Sequence, residues 1–139
     1  MIVVVGVDGS EVSRTVLEKA AEEAAWRGGA LHIVHVAQHP VVYSEVPIDL
    51  TGMIEAERSA VWEQLEPTIS NITIPVERID LDGYPADVLP GYANQAGADL
   101  IVVGTRGRGD LASLILGSTS HRTIQLANCD VLVVKPTDA

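Results

Sequence analysis

The densest concentration of potential chemistry lies between Gly104 and Ser120. Gly104, Gly107, Gly109 and Gly117 place four of the chain's 12 glycines within 14 residues. Glycine lets backbone N–H groups approach a ligand with no side chain between them. Gly117-Ser118-Thr119-Ser120 then opens a predicted helix, whose first N–H groups and positive dipole end suit a phosphate, and whose hydroxyls add donors. Arg106, Arg108 and Arg122 are opposed by one acid, Asp110, so the segment from Gly104 to Arg122 carries +2 in a chain of net charge -10. These residues alone leave two readings open, a phosphate cradle and ordinary turn chemistry after a buried strand.

Motif shape narrows the kind of site. No Lys-Ser/Thr pair follows the glycines, so the segment is not a Walker A loop. Gly107-x-Gly109-x-x-Ala112 formally matches a dinucleotide fingerprint, but it follows the fourth predicted strand and no acid ends the next one. Two other segments stand at predicted strand ends, Val7-Asp8-Gly9-Ser10 and Val36 to Gln38. His32 and His35 are three apart on a strand and point to opposite faces, so they form no local metal pair. His39 and His121 read as lone loop or helix-surface histidines. Cys129 reads as a small buried hydrophobe, and as the single cysteine it excludes a disulfide framework or Cys-cluster zinc site. No Ser-His-Asp constellation is assignable.

The elements that must position these residues are legible. Ile2 to Val7 is a β-branched run of the kind buried on both faces of a sheet. A helix from Glu11 to Arg27 follows, capped by Ser10, with Val12, Val16, Leu17, Ala20, Ala21 and Ala24 as its apolar stripe and Gly28-Gly29 as its stop. Ala30 to Val36 is a second strand, and Gln38 to Met53 a loop. Ile54 to Glu66 reads as a helix ended or kinked by Pro67, with Arg58 falling on its apolar stripe. Ile72 to Leu81 reads as a third strand, and Pro75 places it at a sheet edge. In the helix Ala86 to Ala96, Pro85 suits the first turn and Pro90-Gly91 predicts a kink or break. Asp99 to Gly104, Ser118 to Ala127 and Val131 to Lys135 complete the series as strand, helix and strand. This alternation predicts a doubly wound α/β fold, a five-stranded parallel sheet with helices on both faces, its order taken as 3-2-1-4-5. Residues 1–139 make one domain, with no repeat or linker. In that order Val131 to Val134 is an uncovered edge, which calls for a partner.

Composition excludes several function classes. With 47% hydrophobic and 20% charged residues the chain folds rather than remaining disordered. A charge of -10 repels phosphate backbones and anionic lipid, and with 4% aromatics and no Phe there is no platform for base stacking. No nucleic-acid or membrane partner is expected. No signal h-region or run of 18 apolar residues is present, and a reducing, cytoplasmic setting fits. A phospho-acceptor receiver domain would place Asp8, Asp80, Thr105 and Lys135-Pro136 at strand ends in similar order. That reading fails because no helix is expected after Lys135 and the first strand ends in one Asp rather than an acidic pair.

Four stretches together carry a family resemblance. Val5-Gly-Val-Asp8-Gly-Ser10, Gly83-Tyr-Pro-Ala-Asp87, Asp99-Leu-Ile-Val-Val-Gly104 and Gly104-x2-Gly107-x9-Gly117-Ser118 span almost the whole chain. Together they resemble the universal stress protein family, and the last is similar to the signature of its ATP-binding branch. The resemblance implies that Gly104, Thr105, Arg106, Gly107, Arg108, Gly109, Gly117, Ser118, Thr119 and Ser120 surround phosphates and ribose. It places Gly6, Val7 and Asp8 along adenosine and gives the backbone of Val36 to adenine. Asp8 would bond a ribose hydroxyl or base amine, or help hold a metal, because a bare carboxylate repels triphosphate. Its alternative role is turn and helix capping.

The resemblance further implies ATP, with Mg or Mn bound through its phosphates, and a homodimer paired at Val131 to Val134. The expected function is an ATP-binding stress-response regulator. It is not expected to be an enzyme, with slow hydrolysis or autophosphorylation at most. Alternatives are a nucleotide-independent dimeric interaction module and a cyclic-AMP binder. The chain departs from the family at Asn128-Cys129-Asp130, where a Cys-Pro pair is common, and at Pro90-Gly91.

Overall fold

The computed structural model describes residues 1–39, 42–105 and 116–136. Nine elements alternate along them: β1 (Ile2–Val7), α1 (Ser13–Trp26), β2 (Ala30–Ala37), α2 (Thr51–Ile69), β3 (Val76–Asp82), α3 (Pro85–Ala96), β4 (Leu100–Gly104), α4 (Ser118–Leu126) and β5 (Asp130–Val134). The strands form one all-parallel sheet, as expected from the apolar runs, and its order is the expected β3-β2-β1-β4-β5. Successive side chains of a strand face opposite ways, so each central strand feeds two cores. Val3, Val5 and Val7 join Leu17, Ala20 and Leu65 beneath α1 and α2. Val4, with Val34 and Ile101, meets Leu89 and Ala93 of α3 on the other face.

Local chemistry explains where the helices stop and start. The N–H groups of Gly28 and Gly29 donate to the carbonyls of Ala25 and Ala24, and Gly28 takes φ +65°. That pair of bonds closes α1 as a Schellman motif, the stop expected of Gly28-Gly29. The start differs from expectation. α1 begins at Ser13, its N-cap position is Val12, and no side chain caps it. The Ser10 hydroxyl is buried and makes no hydrogen bond among the described residues. Asp8 has taken over the turn, accepting from the Ser10 N–H and the Ser13 hydroxyl.

Two prolines also act differently from their local propensities. α2 begins three residues before Ile54 and runs through Pro67 to Ile69, because Leu65 and Ile69 are buried and hold the last turn against the sheet. α3 is unbroken at Pro90-Gly91. Pro90 lies early in the helix, so its missing N–H removes one backbone bond near an end already open, and its ring is fully buried. β3 starts at Val76 rather than Ile72. Pro75 stands just outside it and offers its carbonyl to the Leu31 N–H, so no ladder donor is lost at this edge. β5 pairs with β4 alone among the described residues, which makes it the opposite edge. No helix among the described residues is long and apolar enough to cross a membrane.

Candidate functional site

β1 has β2 on one side and β4 on the other, so the chain leaves its carboxyl end in one direction and returns from the other. This reversal opens a crevice in doubly wound sheets. Here it is a cavity of about 240 Å³. β1 contributes Gly6 and Val7, with Asp8 just beyond its end, and Val36 closes the β2 side. Gly104 ends β4, and Ser118, Thr119 and Ser120 present the start of α4. Eight residues singled out from the sequence therefore meet around one space. Arg106, Gly107, Arg108 and Gly109 lie outside the described residues.

Thr105 and Gly117 do not line the cavity, but they join two elements that do. The Gly117 N–H donates to the Thr105 carbonyl at 2.6 Å, tying the end of β4 to the start of α4. Ser120 sits one turn in, and its hydroxyl donates toward the carbonyls of Thr105 and Gly117 at 3.1 and 3.0 Å. That hydroxyl is committed to the backbone, so the expectation of a phosphate-donating Ser120 side chain narrows to its amide. The amides of Ser118, Thr119 and Ser120 belong to the first turn, where helix geometry supplies no intrahelical acceptor. Arg122 is engaged as well, its Nε donating to Asp87 at 3.1 Å, which offsets one cation of the electropositive segment.

Two residues on the β1 side have packing reasons. A Cβ at Gly6 would stand 2.7 Å from Leu89 Cδ2, so glycine here lets α3 seat against the sheet. Asp8 Oδ1 accepts from Ser10 N–H at 2.9 Å and Ser13 Oγ at 3.0 Å, while the Asp8 N–H donates to Ser13 Oγ at 3.1 Å. The turn role of Asp8 is thus present, and it aims the carboxylate along the cavity wall.

The β2 side holds residues that strand-end reasoning missed. His35, Gln38 and Glu57 of α2 also line the cavity. Behind them Arg58, only 12% exposed, reaches Asp82 at 2.8 Å and Asp80 at 3.5 Å. His39 Nε2 meets the same Asp82 oxygen at 2.9 Å, and Trp62 Nε1 donates to Asp80 at 2.8 Å. His39 is therefore paired rather than lone. The two partners and the hydrogen bonds they give hold the Asp82 carboxyl below its ordinary range. The visible signal was Arg58 on the apolar stripe of α2, since a guanidinium placed there needs acids waiting on the sheet.

His35 is 3% exposed and its Nδ1 has no hydrogen-bond partner. Burial lowers its pKa below the usual histidine value, more than neighbouring Asp80 raises it. Folded His35 therefore stays neutral where an unfolded histidine gains a proton, and the unfolded chain binds more protons as pH drops below about 6.5. Stability from this group is complete above pH 6.5 and declines below it until the folded ring titrates, by at most about 1.4 kcal/mol per pH unit. Urea midpoints at pH 7.5, 6.5 and 5.5 should show this decline, and His35→Leu should remove that part of it. An identical profile in the variant would contradict the assignment. His32 lies on the opposite face, as expected, with Nδ1 2.7 Å from Tyr92 Oη.

Residues 1–135 match the universal stress protein family. The chain belongs to this family. The universal stress protein YxiE of Bacillus subtilis is 31% identical over 94% of this chain and 96% of its own length. Relatives from Mycobacterium tuberculosis, such as Rv2005c, are 36% identical but longer, and the chain spans 45% of their length. Among solved structures, a universal stress protein in complex with cAMP is 26% identical with TM-score 0.74, covering 99% of this chain and 98% of that one. The universal stress protein of Archaeoglobus fulgidus in complex with dAMP is 25% identical with TM-score 0.71, covering 97% and 98%.

Against this background the remaining side chains of the universal stress protein read as structure. No group of three or more His, Cys, Asp or Glu among the described residues is placed to hold a metal. Cys129 is half-buried, and burial, with Asp130 and Asp99 nearby, pushes its thiol pKa up, the opposite of activation.

Proposed function

We propose that the cavity at the β1/β4 crevice binds an adenine nucleotide, ATP, and that the protein is a stress-response regulator acting as a homodimer. The observation that carries this reading is the meeting of Gly6, Val7 and Asp8 with Gly104 and the first turn of α4 around one space. The α4 amides and dipole supply the positive end for phosphates, and the sequence that follows β4 offers Thr105, Arg106, Gly107, Arg108 and Gly109 as further phosphate contacts. Gly6, Val7 and the Val36 backbone flank the nucleoside. Relatives in complex with cAMP and dAMP support an adenine ligand. A Mg or Mn ion would be held chiefly by the phosphates, because Asp8 Oδ1 already accepts two hydrogen bonds. The reading is one of binding without turnover in a cytoplasmic protein. The cAMP complex favours cyclic AMP as a second candidate ligand.

Heat denaturation of the purified protein should release nucleotide into the supernatant, and calorimetry on the emptied protein should show ATP or cyclic AMP binding. An empty protein that binds neither would leave the nucleotide-independent dimeric module as the function of this fold.

A further inference from the structure

Outside the cavity, exposed apolar side chains concentrate where β2 gives way to α2. Val42, Tyr43, Val46, Ile48 and Met53 are five of the eleven large hydrophobic side chains exposed among the described residues, and they fall within 12 positions. An apolar surface of this kind marks a site of interaction. The N–H groups of Val46 and Thr51 donate to Ser44 Oγ and Asp49 Oδ1, two residues back, so these turns are built locally and leave the side chains outward. α2 continues the surface. A helix packed by one face ordinarily carries polar residues on the other. α2 buries Ile54, Val61, Leu65 and Ile69, yet on its other side Met53, Ala56 and Ala60 are exposed, the two alanines four apart and so on one line along the helix.

Charge decides what can cover this face. Residues 42–66 hold six acids and one base, a net of -5 that is half the chain's -10. The base, Arg58, is only 12% exposed and is turned onto Asp80 and Asp82 of β3, so it leaves the outward acids unbalanced. Glu45 and Asp49 alternate with the apolar residues of the segment, and Glu55 and Glu63 flank the alanines of α2, all four exposed. A second copy of the chain would set -5 against -5, and nucleic acid or an anionic lipid surface is repelled for the same reason. We propose that this face docks a cationic amphipathic helix of another protein. Its apolar side chains would pack on Ile48, Met53, Ala56 and Ala60, and its lysines or arginines would meet the surrounding carboxylates. Helix-on-helix docking suits α2 because its two alanines leave the backbone open to the close approach of packed helices. The surface lies outside the nucleotide reading and stands whether or not the cavity binds ATP.

The probe is a labelled synthetic peptide of about 18 residues, with leucine along one helical face and lysine elsewhere. Its control replaces each leucine by glutamine, which keeps the charge and the helix propensity and removes the apolar face. Fluorescence anisotropy with the full chain at about 0.15 M salt should show saturable binding of the leucine peptide and at least about tenfold weaker binding of the control. Ile48→Ser with Met53→Ser, and separately Ala60→Arg, should each weaken the leucine peptide about tenfold or more. Glu22→Lys, on α1, changes the net charge more than Ala60→Arg does and should alter binding less than about twofold. All four positions are exposed, so melting temperatures should stay within about 3 °C of wild type. Wild type that binds neither peptide, or both equally, overturns the proposal, as do face variants that bind like wild type. Light scattering in which Ala60→Arg lowers the mass of the free protein would seat a second copy on the face. Loss of ATP affinity in Ile48→Ser with Met53→Ser would make the segment a lid of the cavity. Either result overturns the proposal as well.

Discussion

Gly117→Val is expected to lower ATP affinity by at least about 100-fold, roughly 2.7 kcal/mol, while the protein stays folded. Gly117 is the N-cap residue of α4, and its backbone, at φ -66° and ψ 166°, is one a β-branched residue adopts without strain. The consequence of valine is therefore steric. Two methyl groups would stand toward the Thr119 and Ser120 amides, where the proposed phosphate would have to come close to the helix end. Gly117 is buried, so some loss of stability accompanies the change, about 1 to 3 kcal/mol for overpacking. Gly104→Val approaches the same space from the end of β4, where Gly104 is half-buried and pairs with Val134. Calorimetry with ATP, with circular dichroism to confirm folding, measures both. Wild-type affinity in either folded variant would mean that phosphate binds elsewhere.

The second large effect concerns assembly. Val133→Lys is expected to convert a homodimer into a monomer. Among the described residues β5 pairs with β4 alone, and its other edge presents backbone groups that a strand of matching length can pair with. Val131 and Val133 are half-buried against the α3 side of the sheet, and Leu132 and Val134 against the α1 side. A lysine directed inward on an edge strand prevents a second sheet from docking, because its ammonium group would be desolvated in the new interface. Light scattering should give twice the chain mass for wild type and one chain mass for the variant. A dimer that survives the substitution places the interface on another surface, and a monomeric wild type shows that the edge stays open.

Much of this molecule is legible along the chain because its structure repeats the period of its hydrophobic residues. Val3, Val4 and Val5 are fully buried, and such a run makes sense only where both faces of a strand are covered. Pro75 marked the β3 edge for the same local reason, a missing N–H. The end of β4 and the start of α4 were equally readable, since glycines and small hydroxyl residues at a helix start state their chemistry within a few residues.

The other half of the site depends on distances that sequence spacing does not encode. His35, Arg58 and Asp80 are separated by more than 20 residues at each step, and they meet because β2 and β3 pair in register, with His35 opposite Asp80. Arg58 on an apolar stripe was a visible anomaly, but the acids that stabilise it could be named only once α2 had a place on the sheet. Ser10 lost the helix cap to Asp8, and Pro90 kept its helix intact, where tertiary packing outweighed local propensity. By itself the sequence determined the alternation of elements, the parallel sheet covered on both faces and the glycine-marked start of α4, all consequences of short-range chemistry and of burial on two faces, whereas the strand order follows from which strands pair. Tertiary structure decided the charge and polarity of the β2 wall, because the ionisation of His35 and the pairing of Arg58 follow from burial and from neighbours distant in the chain.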